Sequence, residues 1–170
     1  VHFLNVGHGD CTIIHHPQSE KRKEGRVSVI DINDWDHLKS EETHQFIAGL
    51  SSYLEQQSSS GYFEKQISQE EYAEEHLDDP VEYYQETFSG LKNKVWRFIS
   101  THPDMDHLAG LKQFHEEVGF DVVWDTPHSK EMDTGDGWYE KFNREDWNRY
   151  EAIRDGEMDV NNINPRRESQ

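Results

Sequence analysis

The chain has 170 residues, 32% hydrophobic and 31% charged, with 17 basic against 35 acidic side chains and a formal net charge of −18. That length predicts one domain with a modest core, and no apolar run approaches the roughly 18 residues that a membrane span needs. The negative field repels nucleic-acid backbones and anionic lipid at long range, which disfavours non-specific binding to either.

A bound metal would reverse the potential locally, so a phosphate-containing substrate stays open. The start, "VHFLNVGHGD", has no basic region ahead of a long apolar stretch and no small-residue cleavage pattern, and the expected compartment is the cytoplasm. The single cysteine, Cys11, allows no internal disulfide, in keeping with that compartment, and reads as a small buried hydrophobe. The ends, Val1 and the polar "NINPRRESQ", read as those of a processed chain or a fragment.

Residues 1–34 predict a strand meander. "VHFLNV", "CTIIHH" and "RVSVIDI" are rich in β-branched residues and are separated by "GHGD" and by the charged turn "PQSEKRKEG". Residues 35–77 are polar and Gln/Ser-rich, with weak helical patterning, and read as an insertion. Residues 78–126 regain order. Asp79 before Pro80 predicts a capped helix with Val81, Tyr84 and Phe88 on one face. The apolar strand "VWRFIS" follows, then "THPDMDHLAGL", a helix ending at Gly119 and the strand "DVVWDT". Residues 127–170 read as a polar helix and tail. The strand–loop–helix–strand unit places the loop after a strand's carboxyl end, where open α/β sheets usually carry their chemistry.

That loop crowds His102, Asp104, Asp106 and His107 into six positions. In an extended loop residues 102 and 104 share a side, whereas 106 and 107, at the start of the helix, can turn to another. Two pairs of ligands facing two ions is therefore the natural geometry. Imidazole with carboxylate suits zinc, manganese or iron, and two such ions can activate water for hydrolysis. The plainer reading is a capped helix with an acidic first turn. His15 and His16 read as solvated, His115 as a surface residue, and the tryptophans, including Trp96, Trp138 and Trp147, as core or interface. Trp124 lies at a strand end where it could line a pocket. Asp34 and Asp36 read as simple loop acids.

"ISTHPDMDHLAGL" resembles the signature loop of the metallo-β-lactamase superfamily, His-x-His-x-Asp-His followed by a small residue and Gly. Asp104 stands where that pattern has His, a departure shared with the ComEC-type competence hydrolase domain and its stand-alone relatives. "FLNVGHGDCTII" is similar to the "VGQGD" segment of that branch, and "VIDIND" to the strand ending in the superfamily's first conserved Asp. The resemblance covers residues 2–34 and 95–126.

It implies an αββα sandwich, of which this chain would be the N-terminal half carrying a polar insertion. It also implies two divalent ions, zinc or manganese, one held by His102 and Asp104 and the other by Asp106 and His107. Asp106 would orient or deprotonate the water. Asp31 would sit behind the ligands and hydrogen-bond to one of them or to the loop. Gly7, His8 and Gly9 would pass beneath the site, with Asp10 bracing their turn. The superfamily's later ligands would come from elsewhere, and His128, near the same sheet edge, is the remaining local candidate.

The function implied is a metal-dependent hydrolase acting on a phosphodiester, with a nucleic acid or nucleotide as substrate and the rest of the fold or a partner subunit completing it. The competing expectation is a silent or regulated subunit serving as an interaction module in a larger assembly, such as a bacterial defence or toxin system. A lactamase or thioester hydrolase fits less well with Asp104.

Overall fold

The computed structural model describes residues 1–7, 9–20, 23, 25–34, 75–91, 95–128, 130 and 143–163. His8, residues 35–74 of the expected insertion, Asp36 and Trp138 lie outside the described residues. The fold is α+β. Six strands form one mixed sheet in sequential order: β1 (His2–Phe3), β2 (Thr12–His16), β3 (Arg26–Ile30), β4 (Val95–Ile99), β5 (Phe120–Trp124) and β6 (Asn161–Ile163). The first three form the expected antiparallel meander, with Ile13 opposite Val29. From β3 onward the pairing is parallel, with Val29 beside Phe98 and Phe98 beside Val123.

Among the described residues, the α-helices that accompany the sheet are α1 (Pro80–Phe88), α2 (Leu111–Glu117) and α3 (Arg144–Arg154). Helix α1 starts as its sequence predicts. Asp79 is the N-cap and its carboxylate accepts from the backbone N–H of Val81 and Glu82, while Val81, Tyr84 and Phe88 are buried. Tyr84 meets Phe114 of α2 edge to face, and Phe88 meets His15 of β2, so these helices line one face of the sheet. Ile13, Val29, Phe98 and Val123 join Leu111, Phe114, Trp147 and Tyr150 in one buried core. Burying these large side chains is the main stabilising term, at about 2 kcal/mol each.

By register, the opposite sheet face carries Ile14, Ile30, Ile99 and Val122, all half-buried. No second sheet is found among the described residues.

Two elements depart from the sequence reading. The helix expected from His107 begins only at Leu111. Met105–His107 form a 3₁₀ turn, Leu108 bridges to Ile32, and Gly110 is left-handed at φ 84°, which interrupts helical continuation. The expected tail contributes a strand, because Asn161–Ile163 pair with the open edge of β5 despite their weak strand propensity.

Candidate metal centre

The parallel strands β3, β4 and β5 end at one sheet edge, and the β1–β2 turn closes over the same edge because Thr12 pairs with Ile30. Asp31 follows β3, residues 101–107 follow β4 and Asp125 follows β5. Backbone bonds tie the strand ends together, from Asp31 N–H to the Ile99 carbonyl, Ile32 N–H to the His107 carbonyl and Ser100 N–H to the Trp124 carbonyl.

The turn itself is built by alternation. Pro103 and Met105 point inward and are buried, so His102, Asp104 and Asp106 face outward and are half-exposed. His107 turns back and is buried. Gly9 passes directly beneath: a Cβ built there would lie 2.3 Å from the Asp106 carbonyl oxygen and 2.7 Å from Asn33 Cγ. The expected close approach of the glycine turn therefore exists at Gly9. Gly7 is also left-handed, at φ 77°.

Asp31, buried and with a left-handed φ of 53°, is the hub of the site. Its Oδ1 accepts the Thr101 N–H at 2.8 Å, and its Oδ2 accepts the Thr101 hydroxyl at 2.6 Å. The same Oδ2 lies 3.1 Å from His107 Nδ1. Since the Thr101 proton is given to Asp31, the 2.9 Å contact between Thr101 Oγ1 and His102 Nδ1 requires the imidazole to donate. As neutral imidazoles both histidines therefore carry their proton on Nδ1 and present the lone pair of Nε2.

Each Nε2 faces a carboxylate. His102 Nε2 lies 3.8 Å from Asp104, and His107 Nε2 lies 3.5 Å from Asp106. The two rings are 3.9 Å apart, centroid to centroid. Each histidine thus neighbours the carboxylate expected to share its ion, but the two rings also meet each other. Asp31, His102 and His107 also each offer a ligand atom within 4.8 Å of the others, a cluster consistent with metal binding.

Electrostatics separates the two pairs. Burial lowers the pKa of His107, but the Asp31 hydrogen bond and the charges of Asp106, Asp31 and Asp10 outweigh it, so the net shift is upward. Asp10, 3.8 Å from His107 Nδ1, is exposed. Asp104 is held below the usual carboxylate range, first by the hydrogen bond from the Lys130 ammonium, with His102 and His107 adding to it.

His128 lies in a different network. Tyr150 donates to Asp125 at 2.7 Å, and its hydroxyl is also bonded to His128 Nε2. His128 Nδ1 accepts the Lys130 N–H at 3.1 Å, so both ring nitrogens are engaged in holding the loop after β5.

Thr101 and Lys130 have roles that the sequence reading missed. The readable signal for Thr101 was a hydroxyl residue directly ahead of a candidate ligand. For Lys130 there was none, because it is not adjacent to the motif in sequence. Asp34, read as a loop acid, is buried, and its N–H donates to the Ala109 carbonyl. Trp124 stacks on the Arg97 guanidinium at 3.4 Å. No helix among the described residues is long and apolar enough to cross a membrane.

Compared with protein-family models, curated proteins and solved structures, the chain matches none.

Proposed function

We propose that this chain is a metal-dependent hydrolase of the metallo-β-lactamase type, akin to the ComEC branch, and that it cleaves phosphodiesters. The observation that carries the reading is the paired histidine geometry. Two imidazoles have Nδ1 committed to the Asp31–Thr101 system and Nε2 set beside a carboxylate, the arrangement in which outer hydrogen bonds fix tautomer and orientation for a cation.

His102 with Asp104, and His107 with Asp106, would hold the ions. Divalent ions there, zinc or manganese, would supply Lewis acidity, lowering the proton affinity of water and neutralising charge on the leaving oxygen. Asp106, half-exposed on the open side of the turn, would orient a water and accept its proton. Asp31 aligns both imidazoles, His107 directly and His102 through the Thr101 hydroxyl. The further ligands would come from the rest of the fold or a partner subunit packed on the face of Ile14, Ile30, Ile99 and Val122, as in the αββα sandwich. A nucleic acid or nucleotide is the proposed substrate, and the cytoplasm the proposed setting.

Elemental analysis of the purified protein, with hydrolysis of bis(p-nitrophenyl) phosphate before and after chelator, tests this reading. Bound zinc or manganese, activity lost to chelator, and a loss of about a hundredfold or more in Asp106→Ala with unchanged circular dichroism are expected. Turnover indifferent to chelator would sink it.

One observation favours a second reading, a silent or regulated subunit: the Lys130 ammonium already occupies Asp104. Such a subunit would retain its partner when His102 and Asp106 are both replaced.

A further inference from the structure

Lys130 lies 26 residues beyond Asp104 in sequence, yet its ammonium forms an ion pair with that carboxylate. The loop that delivers it is braced from several sides. Asp125 is buried and caps the loop start, accepting the Thr126 N–H at 2.8 Å through Oδ1 and the Tyr150 hydroxyl through Oδ2. His128 stacks on Tyr150 with an interplanar angle of 18° and accepts the Lys130 N–H. The Arg154 guanidinium reaches the Lys130 carbonyl at 3.5 Å. The backbone of Lys130 is thus tied to α3, and its side chain is the part that remains adjustable.

The surroundings give this ammonium a purpose beyond one surface ion pair, which by itself would contribute little. Within the cluster every other charged group is an acid or an imidazole. The chain as a whole carries −18, so an anionic substrate approaching the centre meets a repulsive field. Lys130 enters from the open side, where the His102 and Asp104 side chains are 46% and 48% exposed. Among the described residues, Lys112 and Arg149 are paired with acids away from this edge, and Arg154, which reaches the Lys130 carbonyl, is paired with Asp155.

We propose that Lys130 is the anion-contacting residue of this centre: its ammonium, paired with Asp104, transfers to an oxygen of a phosphoryl group once a divalent cation takes that carboxylate. This rests on the reading of His102, Asp104, Asp106 and His107 as metal ligands and assigns the substrate's anionic group a partner within the chain. No bond is made or broken in the exchange. Asp104 trades one cation for another, and the ammonium trades one anion for another.

The test uses the full chain and inorganic phosphate as the probe, with acetate as the carboxylate comparison. Binding of zinc or manganese is first measured by calorimetry for the parent, Lys130→Ala and Lys130→Arg, and phosphate is then titrated into each metal-loaded protein. Lys130→Ala is expected to bind metal at least as tightly as the parent, since a competing cation is gone. Its phosphate affinity should fall about tenfold, the scale of one charge-assisted hydrogen bond, with Lys130→Arg recovering most of the loss. Acetate affinity should change less.

Equal phosphate affinity in the parent and Lys130→Ala, both metal-loaded, overturns the proposal and leaves the metal centre standing. An equal loss for acetate also overturns the phosphoryl assignment. If the parent binds neither ion, the metal-centre reading fails first and this one with it.

Discussion

At the scale of single residues, the tightest constraint is Gly9. Its φ of 136° and the 2.3 Å approach of a built Cβ to the Asp106 carbonyl leave no room for a side chain. Gly9→Ala is expected to destabilise the fold by about 2 kcal/mol or more, read from urea unfolding, because strain and steric overlap add. Cys11 is 3% exposed, and burial, with Asp31, Asp78 and Asp10 contributing, drives its thiol pKa far upward. Native protein should therefore react with a thiol reagent only as fast as it opens, and quickly once denatured.

Asp125 makes a prediction about pH. Burial raises its pKa above the ordinary 3.8, against the opposing effects of Tyr150 and His128. The folded state binds that proton more tightly than the unfolded chain, so its contribution to stability is full below 3.8 and is lost as pH climbs through the raised folded value. Asn cannot ionise, and Asp125→Asn should show a smaller fall in unfolding free energy between about pH 4 and pH 7 than the parent. An unchanged slope would refute this.

Much of the site could be read at this scale. Crowded His and Asp at a strand end, and an Asp ending a β-branched run, are local signals, and both lead to the observed edge. Lys130 and Thr101 escaped because a contact across 26 residues and a hydroxyl bridge to Asp31 leave no periodic trace.

At the scale of elements, α2 has an unusual start. Its N-cap is Gly110, which has no side chain, and the capping is supplied from α3: Asp146, fully buried, accepts the Gly110 N–H at 3.0 Å and the Lys112 N–H at 2.8 Å. Asp146→Ala removes two charge-assisted bonds from buried amides and should cost about 2 kcal/mol, while Asp146→Asn should cost less, as thermal unfolding will show. The Asp79–Pro80 signature of α1 and the β-branched runs of β2 and β3 were legible because their determinants lie within a few residues. The break at Gly110 and the strand β6 were not, since each depends on a partner contributed by a distant segment.

At the scale of the whole molecule, the twofold excess of acids over bases makes self-repulsion a standing cost. Raising salt from low ionic strength to about 0.15 M should raise the unfolding temperature, as screening shortens the range of that repulsion. A lower unfolding temperature would show that local ion pairs, such as Lys112 with Glu145, outweigh it. The one-sheet architecture could be anticipated only in part. The meander of β1 to β3 and the unit of β4 and β5 followed from the sequence, whereas the pairing of β3 with β4, the strand β6 and what covers the face of Ile14, Ile30, Ile99 and Val122 are written in no local pattern.

The bonds from Thr101 to Asp31 span 70 residues, and that from His107 to Asp31 spans 76. During synthesis, Asp31 must wait for its partners until the chain has grown by that length, and closing so wide a loop precedes any reward from the contact. The pairing of β3 with β4 closes a loop of the same width, so the centre forms with the sheet, and a cation arriving there would act as a clasp on a finished structure instead of a nucleus for it. Its imprint should fall on the rate of unfolding, with the rate of folding left nearly as it was.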